Sequence, residues 1–222
     1  MNVKYKHIIF DFDGVLADTN PIRLEGFRLL MEGYPQLQVD EFVKFCRSNS
    51  GMSRFEKIKY FFKEIQNEEI LKEDLNIWAS RYSGIVKDKI VKAPPLQGSL
   101  EFLRSNFKIY DFAIVSGSEQ QELRDVCRQR KISHFFIEIL GSPITKAENV
   151  AMLLAKMRWE RKKCVFIGDS ITDFDAALAN GIDFIGRDSS MANWSLIKNI
   201  RIFTDFSQLP LLLDVVEKGA AL

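Results

Sequence analysis

The sequence predicts an α/β fold in which a parallel sheet, covered by helices, is interrupted near its start by a helical insert. Three observations carry the prediction. Short apolar runs, Ile8-Ile9-Phe10, Phe112-Ala113-Ile114-Val115 and Cys164-Val165-Phe166-Ile167, stop abruptly at turn or acidic residues, as strands buried on both faces do. Helix-start patterns follow those runs. Between the first two runs, from Val39 to about Val91, the periodicity is helical and no strand pattern occurs.

In chain order, Thr19-Asn20-Pro21 reads as a capping side chain followed by proline at the first helical position, opening a helix to about Met31. Tyr34-Pro35 ends it. Inside the insert, Ser50-Gly51-Met52 is a turn and Ser53-Arg54-Phe55-Glu56 a capping box, opening a helix with Phe55, Ile58, Phe62 and Ile65 as its apolar stripe. Arg54 and Lys57 lie off that stripe, three residues apart, as a solvated charged face or as a pair turned toward a ligand. Ala93-Pro94-Pro95 ends the insert and returns the chain to the sheet.

A helix near Ser99–Ser105 precedes the second strand, and Ser116-Gly117-Ser118 is a turn leading into a capping box at Ser118-Glu119-Gln120-Gln121. Ile137–Leu140 is a third strand. Thr145-Lys146-Ala147-Glu148 is a further capping box, so Lys146 falls in a first helical turn, where the macrodipole disfavours a cation unless an anion is near. The fourth strand ends in Gly168-Asp169-Ser170 with Asp173 and Asp175 beyond, on a helix that Gly181 closes. Ile182–Ile185 and Ile200–Phe203 are further strands, and a helix near Ser207–Glu217 ends the pattern.

Composition narrows the function. The chain has 222 residues, 46% of them hydrophobic, enough for a substantial core. With 31 basic and 30 acidic side chains and a net charge of +1, no overall field favours nucleic acid or an anionic membrane. Cys46, Cys127 and Cys164 lack the spacing of a zinc site or disulfide framework and read as reduced. Met1–Lys6 lacks a signal-peptide pattern and no apolar run reaches the length of a membrane span, so the cytoplasm is the expected compartment.

The chemistry is expected where strands end, because ligands of open α/β sheets bind outside the carboxyl edge. Asp11 and Asp13 follow the first strand directly and Gly14 turns the chain after them. Like charges so placed repel and lose hydration, which a hard divalent cation such as Mg²⁺ would offset. Parallel strands bring the cluster at Asp169 to the same edge. Ser116, at a strand end facing a helix start, is suited to hold a phosphoryl oxygen, although Ser-Gly-Ser is also ordinary turn chemistry.

Four motifs in one order, Asp11-Phe12-Asp13-Gly14-Val15-Leu16-Ala17-Asp18-Thr19, Ser116, Lys146, and Gly168-Asp169-Ser170 with Asp173 and Ala176-Ala177, resemble those of the haloacid-dehalogenase-like superfamily. The likeness is to members with a helical cap after the first strand, such as phosphoglycolate phosphatases and β-phosphoglucomutases. The family often has proline after the motif-three lysine, where this chain has Ala147. The resemblance implies a Rossmann-like parallel sheet core (1–19 and 93–222) and an inserted α-helical cap (20–92). It implies Asp11 as nucleophile, Asp13 as acid and base, and Mg²⁺ held by Asp11, the Asp13 carbonyl and Asp169. Ser116, Gly117 and Lys146 would bind the phosphoryl group, with Asp173, or else Asp175, in support. Asp13 separates the chain from true dehalogenases and phosphonatases. The expected activity is hydrolysis of a small organic phosphate, a sugar phosphate among the candidates, with Arg54 and Lys57 contacting its non-phosphate part. A phosphomutase, or a non-catalytic binding module on the same fold, are the alternatives.

Overall fold

The structure, a computed structural model, describes residues 4–213. Its centre is the strand β1 (His7–Phe10), in a six-stranded sheet of order β3-β2-β1-β4-β5-β6 whose neighbours all pair in parallel. The other strands are β2 (Asp111–Glu119), β3 (Phe136–Ser142), β4 (Cys164–Gly168), β5 (Asp183–Arg187) and β6 (Arg201–Phe203). Alternate residues of the central strands enter two separate cores. Ile8, Phe10, Ile114 and Ile167 join one, whereas Ile9, Ala113, Val115 and Phe166 join the other. Burial on both faces is why these strands are apolar throughout rather than alternating.

Between β1 and β2 lie α1 (Asn20–Leu30), α2 (Gln36–Ser48), α3 (Arg54–Tyr60) and α4 (Lys72–Lys92). Phe27 of α1 stacks on Tyr82 of α4 at 4.2 Å and meets Phe42 of α2 edge-on at 5.5 Å. A π-helical turn, Phe61–Ile65, continues α3 and turns the adjacent Phe61 and Phe62 both inward. The insert leaves and rejoins the sheet along two neighbouring segments, where Asp18 N–H donates to Pro94 O at 3.1 Å and Leu96 N–H to Leu16 O at 3.2 Å.

The remaining helices are α5 (Ser99–Asn106), α6 (Gln120–Gln129), α7 (Lys146–Met157), α8 (Ile171–Ala179) and α9 (Leu209–Leu213). Of the helix expected near Ser207–Glu217, residues 214–217 lie outside the described residues. All three cysteines are free and buried. No helix among the described residues is long and apolar enough to cross a membrane.

Several local expectations change. Thr19 does not cap α1 with its side chain; its hydroxyl donates instead to Asp13 Oδ1 at 2.5 Å. Ser116-Gly117-Ser118 is not a turn but the end of β2, which runs on to Glu119. The cap of α6 is therefore Glu119, whose carboxylate accepts from the N–H groups of Gln121 and Glu122, and Ser118 is released to the site. Ser53 makes half of its expected capping box, accepting from Glu56 N–H, while the Glu56 carboxylate pairs with Lys59. The box at Thr145 and Glu148 forms as expected.

Candidate active site

The register delivers the first carboxylate. Phe10 pairs with Ile114 on one side and Ile167 on the other, and the ladder continues one step as Asp11 N–H donates to Ile167 O at 2.9 Å. Asp11, Ser116 and Asp169 thus leave the same sheet edge on adjacent strands. Asp11 is 3% exposed. Its Oδ2 accepts from Lys146 Nζ at 3.0 Å, and the same ammonium donates to Asp173 Oδ1 at 2.6 Å. The second oxygen of Asp173 accepts from the Ser170 N–H and hydroxyl, so this carboxylate fixes Lys146 rather than facing a ligand. Asp175 is exposed. Between the two candidates for that supporting role, the fold brings only Asp173 to the site.

Asp169 Oδ2 accepts from Asn20 Nδ2 at 2.7 Å, which ties the first turn of the insert to β4. Gly14 lets them meet. Its φ is +71°, and a Cβ there would lie 2.1 Å from Asp169 Oδ2 and 2.2 Å from Asn20 Nδ2.

Burial, then the Asp173 charge, lifts Asp11 from 3.8 to about 7, and burial and Asp11 lift Asp169 to about 6. Burial would lower the Lys146 ammonium, but Asp11 and Asp173 outweigh it and hold it above the ordinary lysine value. One cation thus faces three buried carboxylates, which offer oxygens within 4.8 Å of one another. All three donors are hard oxygens and the cluster carries excess negative charge, which suits Mg²⁺. With Asp173 engaged by Lys146 and Ser170, Asp11 and Asp169 are the carboxylates that fit it.

Asp13 is tied differently. Its Oδ1 accepts from Thr19 and from Arg23 Nε at 2.9 Å, and its Oδ2 from the Ser118 hydroxyl at 2.6 Å. Burial alone would raise its carboxyl; the Arg23 charge beside it and the three donors more than reverse that. One acceptor position remains on Oδ2. Ser116 is buried, and its oxygen accepts from Ser118 N–H at 3.2 Å, which leaves its O–H hydrogen for a ligand.

Asp11, Asp13, Ser116, Lys146 and Asp169 line a cavity of about 50 Å³, together with Gly117 and the insert residues Gly51, Met52, Arg54 and Lys57. The insert is closed on the sheet edge. A Cβ on Gly51 would fall 1.8 Å from Thr172 Oγ1, and one on Gly117 would fall 2.5 Å from Gly51 O. Arg54 and Lys57 are both buried, so neither forms a solvated face. Arg54 is engaged by Glu122 and Ser83 and lies 4.8 Å over the Tyr82 ring. Lys57 Nζ donates to Ser50 O at 3.1 Å and lies 5.3 Å over the Phe27 ring, with no carboxylate pairing it among the described residues. Burial pulls it down to about 8.

Sequence reasoning missed Asn20, Arg23, Ser118 and Glu122. Arg23 had one faint signal, a cation near the start of a helix, where the macrodipole opposes it. Glu122 had none, because an acid at the third position of a helix is ordinary capping chemistry.

The fold places this chain among α/β proteins that carry their chemistry at strand ends beneath an inserted helical layer. It belongs to the haloacid dehalogenase-like hydrolases, whose family model matches residues 8–187. A phosphorylated carbohydrates phosphatase of Thermotoga maritima is 22% identical over 183 residues, covering 80% of this chain and 82% of that one. A phosphoglycolate phosphatase of Aliivibrio fischeri is 26% identical over 186 residues, covering 79% and 81%. The crystal structure of a predicted phosphoglycolate phosphatase from Haemophilus somnus 129pt superposes with a TM-score of 0.77 at 18% identity, covering 96% and 99%, and attests the fold.

Proposed function

We propose that this hydrolase is a Mg²⁺-dependent phosphatase of small organic phosphate monoesters, acting through an aspartyl-phosphate on Asp11. The observation that carries the reading is the Asp11 carboxylate at the sheet edge, oriented by Lys146 and next to Asp169 in a cavity beneath the insert. The named activities of the two relatives, on phosphorylated carbohydrates and on phosphoglycolate, agree with it. Asp11, the Asp13 backbone carbonyl and Asp169 would hold Mg²⁺, which when bound neutralises the incoming phosphate.

Asp11 attacks phosphorus and the ester bond breaks. Asp13, ionised in the free protein, takes up the proton of the monoanionic ester at the free position on Oδ2 and gives it to the departing oxygen, then takes one from the water that releases phosphate. Lys146 and Ser116 bind phosphoryl oxygens as charge shifts toward the leaving group. The cavity of about 50 Å³ between the sheet edge and the insert has room for roughly four waters. Lys57, the cavity cation without a carboxylate partner, would contact the leaving group, and more directly than Arg54.

A panel of phosphate esters assayed for released phosphate with Mg²⁺ tests the reading. Turnover of at least one ester is expected, with none by Asp11→Asn. Isomerisation without phosphate release would make the protein a phosphomutase, and wild-type turnover by Asp11→Asn would refute the nucleophile.

A further inference from the structure

Glu122 lies in the first turn of α6, on the sheet side of the molecule, and is 4% exposed. Its partners are two arginines of the insert. Arg54 grips it with two parallel bonds, Nη1 to Oε2 at 2.8 Å and Nη2 to Oε1 at 2.6 Å, while Arg23 Nη1 reaches Oε1 at 2.8 Å. Burial opposes ionisation of Glu122, but the Arg54 bonds and the Arg23 charge hold it well below the usual carboxylate range. Arg23 is shared. Its Nε bonds Asp13 Oδ1 and its Nη2 bonds the Ser118 hydroxyl at 2.7 Å, and Ser118 in turn bonds Asp13 Oδ2.

The position of this cluster along α6 matters. Near the C-terminal end of the helix, Arg130 donates to the carbonyls of Ile90, Val91 and Ala93, where α4 runs into the returning segment. Eight residues earlier, about 12 Å along a helix, Glu122 meets the insert at the mouth of the site. Contacts at the first place survive a rotation about the returning segment, whereas contacts at the second must break. Two cations and two carboxylates, Arg23, Arg54, Asp13 and Glu122, are neutral only when they meet. On separation water rehydrates them, so the net gain of meeting is small and the geometric demand is high.

We propose that Glu122 is a positioning residue that anchors the insert in its closed state and, by holding Arg23 beside Arg54, sets Arg23 and Ser118 against Asp13. Its effect on turnover rests on the phosphatase reading; its effect on closure does not.

The test uses the full chain with Mg²⁺ and spin labels at two exposed positions, Lys44→Cys on α2 and Ala155→Cys on α7. The unmodified Glu122 protein is expected to give one closed distance, and Glu122→Gln a second, longer population. On an alkyl phosphate turned over by the wild type, kcat of Glu122→Gln should fall by about 10²-fold. On p-nitrophenyl phosphate, whose leaving group needs no proton, the fall should be roughly a tenth as large. Because an unpaired buried arginine could unfold the single variant, Glu122→Met with Arg54→Met supplies an apolar pair without a stranded charge, and should melt near the wild type yet show the same two changes. A single closed distance in both variants overturns the anchor. A lowered melting temperature with an unchanged ratio of alkyl to aryl turnover makes Glu122 merely structural and also overturns it. Failure of the wild type on every ester refutes the phosphatase reading instead, and the distance measurement still decides the anchor.

Discussion

Raising the pH from 5.5 to 7.5 without metal should destabilise the fold. Asp11 titrates at about 7 in the folded chain and at 3.8 in an ordinary carboxyl, and Asp169 at about 6. Between those values the folded state holds protons that the unfolded chain has released, so stability is greatest at the acid end and falls as pH rises through the folded values. Over this window Asp11 contributes a loss of about 2 kcal/mol and Asp169 about 1 kcal/mol. For a chain of this length that is a drop in melting temperature of roughly 6–12 °C. Asp13 and Glu122, held below their usual values, have the opposite sign; their stabilisation is lost only as pH falls from their unfolded values, below the window. His7, lowered chiefly by burial, opposes the trend. Asp11→Asn isolates the effect and should flatten most of the slope. Saturating Mg²⁺ should do the same in the wild type, because a cation binds the ionised carboxylates. Calorimetry or dichroism with and without chelator measures it. A metal-free melting temperature that is level or rising across the window, and indifferent to Asp11→Asn, would mean that Asp11 and Asp169 do not hold protons in the folded chain.

Two further perturbations probe the insert. Gly51→Ala places a methyl 1.8 Å from Thr172 Oγ1 and 2.2 Å from Ser170 Oγ, so those hydroxyls must swing away and the turn must draw back from Ser170, and kcat/KM should fall by about 10²-fold without loss of fold; unchanged turnover would show that this close approach is not needed. Lys57→Met removes a lysine that is still charged below about pH 8 although burial disfavours that charge. Melting at pH 7 should rise by roughly 5 °C, and the difference from wild type should shrink as pH climbs from 8 toward 10.5. The same variant should raise KM for esters with an anionic leaving group far more than for neutral ones, and equal changes for both would remove Lys57 from recognition.

Asp11, Asp169 and Lys146 were legible as a group because each sits at a junction that neighbouring residues announce. An apolar run ends, a glycine or a capping pair follows, and the topology of parallel strands does the rest. Their partners were not legible. Thr19 and Ser118 read as helix caps, and capping would have satisfied them locally. The fold offers both the part-buried Asp13 carboxylate instead, and a hydroxyl beside an ionised acid makes the stronger bond. Arg54 and Lys57 illustrate the same limit. Both stand off the apolar stripe of α3, yet Glu122, 68 positions away, takes Arg54, while Lys57 is left facing the cavity.

What the sequence determined by itself is the sheet, the helical insert and the edge on which the acids gather, since apolar runs, turn residues and helix caps are patterns written among near neighbours in the chain. Tertiary structure alone decided how the charges are paired: Asn20 with Asp169 across 149 positions, Arg23 with Glu122 across 99. The energy of a buried charge depends on which opposite charge and which donors share its desolvated surroundings, and that company is chosen only when the insert packs against the sheet edge.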